Sequence, residues 1–576
     1  MKPTDLATTS VADAYLSLLA SRGVDYLFAN AGTDFAPLIE ALAKAQAGKS
    51  EGKHPQPFLV PHENVAVAMA HGYYIATGRV QAVMVHVGLG TANSINGLYN
   101  AARQNVPILF SAGRTPLLEG GLPGSRNNYI NWAQEMFDQA GMVRELVKWE
   151  YELRHPLQLE TVVDRALALA MSEPQGPVYL TLPREVLAAA SHGHEPGAKT
   201  SIAAATPPQA DSAALAQLAD WLRAARAPLI ITSDAGRKAG AAAALDAFAR
   251  RFAVPVVQYR PRYLCLPTTH EMHCGFDATP LLPAADLVLV LESDVPWIPD
   301  QVAPNAACKV VHMGVDPLYA RYPIRGFRAD LTITGEVVGA LAQLDLALGK
   351  IDAGFKARIE ARRSTAADFR NAHGLTAARM MQAPAAMSAR WVTRCIDDIC
   401  DADTVLLNEY PLVLEELTRT KPGNYFSHSP AGGLGWAMGA ALGFKLARPD
   451  RTLIAAVGDG AYMFSNPTPA HFVSRAAGLP VLVVIFNNRR WGAVHRATLS
   501  MYPHGDAAQA EQPPLSCLEP SPDYEKIVEA SGGYGECVSE PAQLPAALQR
   551  ALHAVRVEKR QALLNVQTEI NYTRTS

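Results

Sequence analysis

Apolar positions along the first ~185 residues switch between a helical period and short strand-like runs. Val11 to Ala20 repeats at helical spacing, Tyr26 to Ala29 is a short apolar run, and Phe35 to Ala45 returns to the helical period. Pro57 to Val60 predicts a strand leading to Glu63, and the Ala-rich stretch Asn64 to Thr77 a helix. Ala82 to Val87 predicts a strand, Thr91 to Arg103 a helix and Ile108 to Ser111 a strand, and the strand Gly176 to Pro183 closes the block. Strands alternating with helices of about 10–15 residues imply a parallel sheet covered on both faces. Ala47 to Gln56 is polar and reads as a surface insertion, and His192 to Ala210, rich in Ala, Thr, Pro and Gly, as a linker. A second block, from about Pro228 to Leu346, predicts strands at Leu229–Thr232, Val254–Val257, Leu287–Leu291 and Lys309–Met313. Residues 347 to 385 form a charged, partly helical connector. The third block starts near Ser388 and predicts strands at Thr404–Leu407, Leu453–Val457 and Val481–Phe486. The expected fold class is α/β, with three doubly wound parallel-sheet domains at residues 1–190, 210–346 and 386–576.

The 576 residues exceed what one core organises, so two to four domains are expected. Hydrophobic residues at 49% and charged residues at 18% describe an ordinary globular protein. A net charge of −3 provides no basic stripe for nucleic acid and no polybasic membrane patch. No apolar run is long enough to span a bilayer, and the first ten residues lack a signal-peptide pattern. The seven cysteines are scattered without metal-ligand spacing, which points to reduced thiols and a cytoplasmic protein.

Chemistry enters at Thr452 to Val457, an apolar strand that delivers Gly458-Asp459-Gly460 to the carboxyl edge of a parallel sheet, where such folds bind ligands. The glycines permit a tight turn and let backbone N–H groups approach phosphate oxygens. Asp459 supplies the hard oxygen that Mg²⁺ prefers. A helix follows, and the next strand ends at Asn487-Asn488, whose amide oxygens complete a cation site. The triplet alone favours an ordinary Asp-Gly turn; strand, helix, strand and asparagine pair together point to a Mg²⁺–diphosphate. Pro61-His62-Glu63 places a second carboxylate at a strand end.

With these motifs the chain resembles the thiamine-diphosphate (ThDP) enzymes of the acetolactate synthase, pyruvate decarboxylase and benzoylformate decarboxylase type. The resemblance implies pyrimidine-binding, middle and diphosphate-binding domains in that order. It implies a metal bound by Asp459, Asn488 and the main-chain carbonyl of Arg490, and a diphosphate lined by Gly458, Gly460 and Ala461. Ala431-Gly-Gly-Leu-Gly-Trp436 resembles the segment whose bulky residue, here Leu434 beside Gly433, wedges between the cofactor rings. Asn408, in Asn408-Glu409, lines the diphosphate from another strand end. Glu63 matches the carboxylate that bonds N1′ of the aminopyrimidine and promotes loss of the C2 proton. Since Glu63 and Asp459 fall in different domains, the resemblance implies a cofactor between chains, hence at least a homodimer and commonly a homotetramer.

Three further positions are expected on the substrate side. In Phe28-Ala-Asn-Ala-Gly-Thr33-Asp34, Thr33 or Asp34 takes the place that faces a substrate carboxylate. His86 stands where benzoylformate decarboxylases place a proton-transferring histidine, and His270 matches one that reaches the site from the middle domain. Ala493 and Ala497, beyond the metal loop, leave room for a bulky acyl group. The middle-domain stretches Thr232 to Gly236 and Glu292 to Trp297 match neither flavin motif of acetolactate synthases, which disfavours FAD.

The leading reading is a ThDP- and Mg²⁺-dependent 2-oxo acid decarboxylase or carboligase acting through a C2 carbanion and an enamine. An acetolactate synthase-like ligase is the alternative within the enzymes. A nicotinamide-linked dehydrogenase lacks a convincing GxGxxG motif. A family member that only binds would be expected to lack Glu63 or Asp459, and both are present.

Overall fold

A computed structural model describes residues 9–49, 52–191, 202–376 and 381–570. The extreme N-terminus, most of the expected linker and part of the second connector lie outside them. The chain divides into two compact units. Unit one comprises residues 1–205, 428–539 and 549–576, and unit two comprises 206–427 and 540–548.

Unit one opens with a six-stranded parallel sheet of β1 (Tyr26–Ala29), β2 (Gln56–Leu59), β3 (Gln81–Val85), β4 (Ile108–Arg114), β5 (Glu150–Glu152) and β6 (Val178–Pro183). Its order is β2-β1-β3-β4-β6-β5, so the chain runs outward from β1 to β2 and then back past β1 to β3. That reversal opens a crevice at the carboxyl ends of β1 and β3. A core of Leu16, Leu18, Leu27, Met84, Leu109 and Leu180 fixes one face of the sheet.

In unit two, β7 (Pro228–Thr232), β8 (Val256–Gln258), β9 (Leu287–Leu291), β10 (Lys309–Gly314) and β11 (Leu331–Thr334) pair in parallel in the order β11-β10-β9-β7-β8. The crevice at the ends of β7 and β9 is filled by the chain itself. Buried Arg262 donates to Asp234 and, at 3.0 Å, to Asp294, and the Ser233 and Ser293 hydroxyls bond each other at 2.8 Å. Unit two also holds the parallel pair β12 (Thr404–Glu409) and β13 (Tyr425–Ser427). The third set of strands continues in unit one as β14 (Thr452–Gly458), β15 (Leu482–Asn487), β16 (Tyr534–Val538) and β17 (Ala562–Gln567), with the parallel run β14-β15-β17-β16. Every strand pairing recorded in the three sheets is parallel, as the alternating pattern predicts.

Unit one brings sequence-distant helices into backbone contact. Helix Glu63–Thr77 packs on helix Trp436–Ala447 through small residues. A Cβ on Gly72 would lie 2.0 Å from the Ala440 carbonyl oxygen, and one on Gly443 would lie 1.9 Å from that of Met69. Any larger side chain at either position would force these helices apart.

Candidate active site

Glu63 is the first residue of its helix and is 6% exposed. Its two carboxylate oxygens have separate donors. The Asn30 amide, just past β1, lies 3.0 Å from Oε1, and the Asn93 amide lies 3.2 Å from Oε2. Two neutral donors satisfy the buried carboxylate without a cation and leave it lone pairs for a further partner.

Asn93 belongs to helix Val87–Arg103, which carries two more asparagines at helical spacing. Asn96 donates to the Leu434 carbonyl at 2.9 Å. Asn100 both donates to the Gly433 carbonyl at 2.8 Å and accepts from the Gly433 N–H at 3.1 Å. One helix thus holds the Glu63 carboxylate and the Gly433-Leu434 turn. A Cβ on Gly433 would sit 2.6 Å from the Asn96 amide oxygen, so the docked turn needs glycine there. Gly435 lies at φ +92°, and a Cβ there would meet the Phe464 carbonyl at 2.2 Å. The resemblance places this assembly between two chains; the structure makes these contacts within one.

Asp459 opens the short helix Asp459–Phe464, with Gly458 as its N-cap, rather than sitting in a turn. It is 2% exposed. Its Oδ1 accepts from the Gly460 N–H at 2.9 Å, while its buried Oδ2 has no hydrogen-bond partner. Burial pushes the carboxyl up to about 6, against the pull of the Gly460, Arg489 and Arg490 backbone groups. A buried carboxylate oxygen without a donor is costly, and a cation is the partner that removes the cost. Gly460 is kept small by Trp491, whose ring carbon would lie 2.2 Å from a Cβ there, and Ala461 beside it is buried.

The two asparagines after β15 part ways. Asn487 is committed to structure, donating to Ser521 at 2.9 Å and Asn565 at 3.0 Å and accepting from the Arg489 N–H. Among the described residues the Asn488 amide oxygen accepts only the Arg490 N–H, at 2.9 Å, and keeps a lone pair for a ligand. Among the described residues no cluster of three His, Cys, Asp or Glu forms a metal site. Any cation here therefore relies on one carboxylate with amide and carbonyl oxygens, the hard donor set that suits Mg²⁺. These residues fit a metal–diphosphate.

On the substrate side, the structure separates Thr33 from Asp34. Thr33 is exposed, with its carbonyl held by Arg184 at 3.2 Å. Asp34 is 3% exposed and turned onto His86, whose Nδ1 lies 2.5 Å from its Oδ1. The other ring nitrogen lies 3.1 Å from the Gln134 amide nitrogen. The hydrogen bond to Asp34 raises the His86 pKa above the ordinary imidazole value; burial opposes this, and the Asp34 and Glu63 charges add to it. Glu63, His86 and Asn30 thus all follow strands at the crevice of the first sheet.

Two further expected residues lie in unit two. His270 is buried in unit two, where Nδ1 accepts from the Met272 N–H at 2.9 Å and Nε2 lies 3.4 Å from Asp246. Through these contacts it holds a turn beside helix Ala241–Phe252. Asn408 lies inside β12 rather than in a loop beyond it, its amide oxygen accepting from the Leu412 N–H and its nitrogen donating to Tyr425. Helix Gly492–Met501 forms as expected but buries no residue, and Ala493 and Ala497 are exposed. Asn30, Asn93, Asn96, Asn100 and Gln134 join the cluster without a sequence motif of their own; the helical spacing of 93, 96 and 100 puts three on one face but names no partner.

Three segments match descriptions of one family. Residues 9–142 match the thiamine pyrophosphate enzyme N-terminal TPP-binding domain, 215–344 the central domain and 410–566 the C-terminal TPP-binding domain. The acetolactate synthase large subunit of Lactococcus lactis is 24% identical over 552 residues, covering 91% of this chain and 87% of that protein. The acetolactate synthase isozyme 3 large subunit of Escherichia coli is 25% identical over 519 residues, covering 86% and 85%. Among solved structures, a thiamine-diphosphate-dependent 4-hydroxybenzoylformate decarboxylase of Rhodococcus jostii superposes with a TM-score of 0.78 at 19% identity, covering 98% of this chain and 100% of that one. Benzoylformate decarboxylase of Polynucleobacter necessarius gives 0.79 at 20% identity, covering 98% and 99%. These structural likenesses establish the fold.

Proposed function

Because the chain belongs to the thiamine pyrophosphate enzyme family, we propose that it is a ThDP- and Mg²⁺-dependent 2-oxo acid decarboxylase with carboligase capacity, benzoylformate decarboxylase-like in its proton chemistry. The observation that carries this reading is the imidazole of His86, held on Asp34 beside the Glu63 crevice. A reaction that ends in an aldehyde needs a proton donor near the reacting carbon, and an imidazole titrating near neutrality suits that task.

When bound, the cofactor supplies an electron sink for the bond between a 2-oxo acid's carbonyl carbon and its carboxylate. Glu63 would hold the pyrimidine ring and shuttle a proton at its ring nitrogen. Asp459, Asn488 and the Arg490 carbonyl would hold Mg²⁺, and Gly458, Gly460 and Ala461 would border the diphosphate, with Asn408 as a further contact. Gly433 and Leu434, fixed by Asn96 and Asn100, would support the rings. Thr33, the exposed member of its pair, would face the substrate carboxylate. FAD is disfavoured in this reading: the stretches Thr232 to Gly236 and Glu292 to Trp297 match no flavin motif, and buried Arg262 ties Asp234 to Asp294 there. All seven cysteines are free, which fits a reducing, cytoplasmic setting. Exposed Tyr129, Trp132 and Phe137 in unit one suit burial in a homodimer or homotetramer.

An acetolactate synthase-like ligase is the second reading, favoured by the sequence relatives. His86→Ala separates the two. For a decarboxylase, aldehyde release should fall by about 10²-fold or more, and added acceptor aldehyde should partly restore turnover. For a ligase, acetohydroxy-acid formation should persist. Single-turnover kinetics with a 2-oxo acid, with and without acceptor, decides.

Acidification should loosen the cofactor. Burial pushes the Asp459 carboxyl up to about 6, so below that pH Mg²⁺ must displace a proton. Affinity should be level above pH 6 and fall about tenfold per unit below it. Calorimetric titration between pH 5 and 8 in the presence of Mg²⁺ tests this, and a flat profile would exclude Asp459 as the responsible group.

A further inference from the structure

We propose that Asp34 is a positioning residue for His86: it takes the Nδ1 proton in a hydrogen bond, which fixes the ring and leaves Nε2 as the atom that exchanges protons with substrate. The inference rests on the decarboxylase reading for its chemical consequence, but its geometry stands alone.

The imidazole is over-determined. Asp34 is buried in the short turn Thr33–Phe35 and faces Nδ1, while its other oxygen lies 3.4 Å from the Val87 N–H. A carboxylate can only accept, so Nδ1 carries the hydrogen and the neutral ring keeps its lone pair at Nε2. The Gln134 amide lies 3.1 Å from Nε2 and marks the direction in which it points: its N–H can donate to the neutral ring, and a turn of the amide presents its oxygen to the protonated one. Two glycines make room for the pair. A Cβ on Gly113 would fall 1.7 Å from Asp34 Oδ2, and one on Gly32 would fall 2.0 Å from His86 Nδ1. Val87, at φ +28°, starts its helix in a conformation a β-branched residue rarely adopts. Strain of this kind persists only where the surroundings enforce it.

Asp34 and Glu63 are the charges recorded acting on this imidazole. Nearby Glu135 is paired with Arg114 and Arg126, both at 2.7 Å, and Arg184 is engaged with the Thr33 carbonyl. These two carboxylates, held by neutral donors and by the imidazole itself, favour a proton on Nε2. In the step that ends decarboxylation, the carbon that has lost CO₂ takes that proton. Its electron pair becomes the new C–H bond, and His86 returns to the neutral Nδ1–H form. Asp34 need never be protonated.

The test is Asp34→Asn in the full-length chain, with ¹⁵N-labelled histidine NMR as a readout independent of activity and His86→Ala to assign the signal. The native chain should show the Nδ1–H tautomer and a midpoint above that of free histidine. In Asp34→Asn the midpoint should fall by at least a unit, a tenfold loss of proton affinity. Gly113→Ala, which crowds the carboxylate from the far side, should move it the same way. Aldehyde release in Asp34→Asn should drop more than tenfold, its alkaline limb moving to lower pH, while hydrogen exchange at the cofactor's C2 keeps its native rate. An unchanged midpoint and tautomer in Asp34→Asn, or equal losses in both steps, would overturn the inference. A native chain that decarboxylates no 2-oxo acid would overturn the functional reading while the NMR titration still judged the pair.

Discussion

Glu63→Gln is expected to keep the fold and to bind ThDP within a few-fold of the native chain, while turnover falls by about 10²–10⁴. The substitution conserves shape and leaves one acceptor oxygen, so only one of the Asn30 and Asn93 amides loses its partner, and a turn of that amide offers it another. What disappears is a group able to take and return a proton at this position. Calorimetry and steady-state turnover on the same preparation separate the two effects. Turnover within a few-fold of native would mean that the two asparagines hold a merely structural carboxylate.

Asp459→Ala should abolish cofactor retention, weakening ThDP affinity in the presence of Mg²⁺ by more than about a hundredfold, beyond the usual effect of altering a metal's outer partners. The unpartnered Oδ2 is the reason: it is buried, and burial has already pushed the carboxyl up to about 6. Without this group, no carboxylate remains in the donor set to neutralise the metal. The apo chain should not suffer, since removing an unsatisfied buried oxygen relieves a desolvation cost. Titration with ThDP, with and without Mg²⁺, checks both points; unchanged affinity would reduce the Gly-Asp-Gly segment to a helix start.

The parts of this site that were legible in sequence are those whose meaning is local. Gly458-Asp459-Gly460 follows directly on an apolar strand, and Glu63 follows another, so alternation places both at a sheet edge. Residues whose partners lie far along the chain gave no such signal. Asn96 and Asn100 act on Leu434 and Gly433, and nothing near an asparagine in a helix announces a partner more than three hundred residues away. The preference for Thr33 or Asp34 stayed open for the same reason, because only tertiary packing turns Asp34 onto His86 and leaves Thr33 exposed.

Local errors have local causes. The helix expected from Thr91 begins at Val87, since Gly88 and Gly90 depress helix propensity yet are needed for close approach. A Cβ on Gly88 would lie 2.7 Å from the Met136 sulfur, and one on Gly90 would lie 2.8 Å from the Val85 side chain. β5, β11, β13, β16 and β17 fall outside the expected strands; β5 and β13 have three residues each, and the mixed run Tyr534–Val538 carries no alternation to read. The resemblance puts Asn408 and Glu409 in a loop past Leu407, but the strand runs on through both and buries them.

One measurement bears on the whole reading at its base, the rate of hydrogen–deuterium exchange at C2 of ThDP bound to this chain with Mg²⁺. Exchange on the native protein should exceed that of the free cofactor by about 10²–10⁴, and Glu63→Gln should return it close to the free rate. Bound cofactor that exchanges no faster than free, or equally fast in Glu63→Gln, would contradict the assignment of Glu63 and with it the catalytic role proposed for this site.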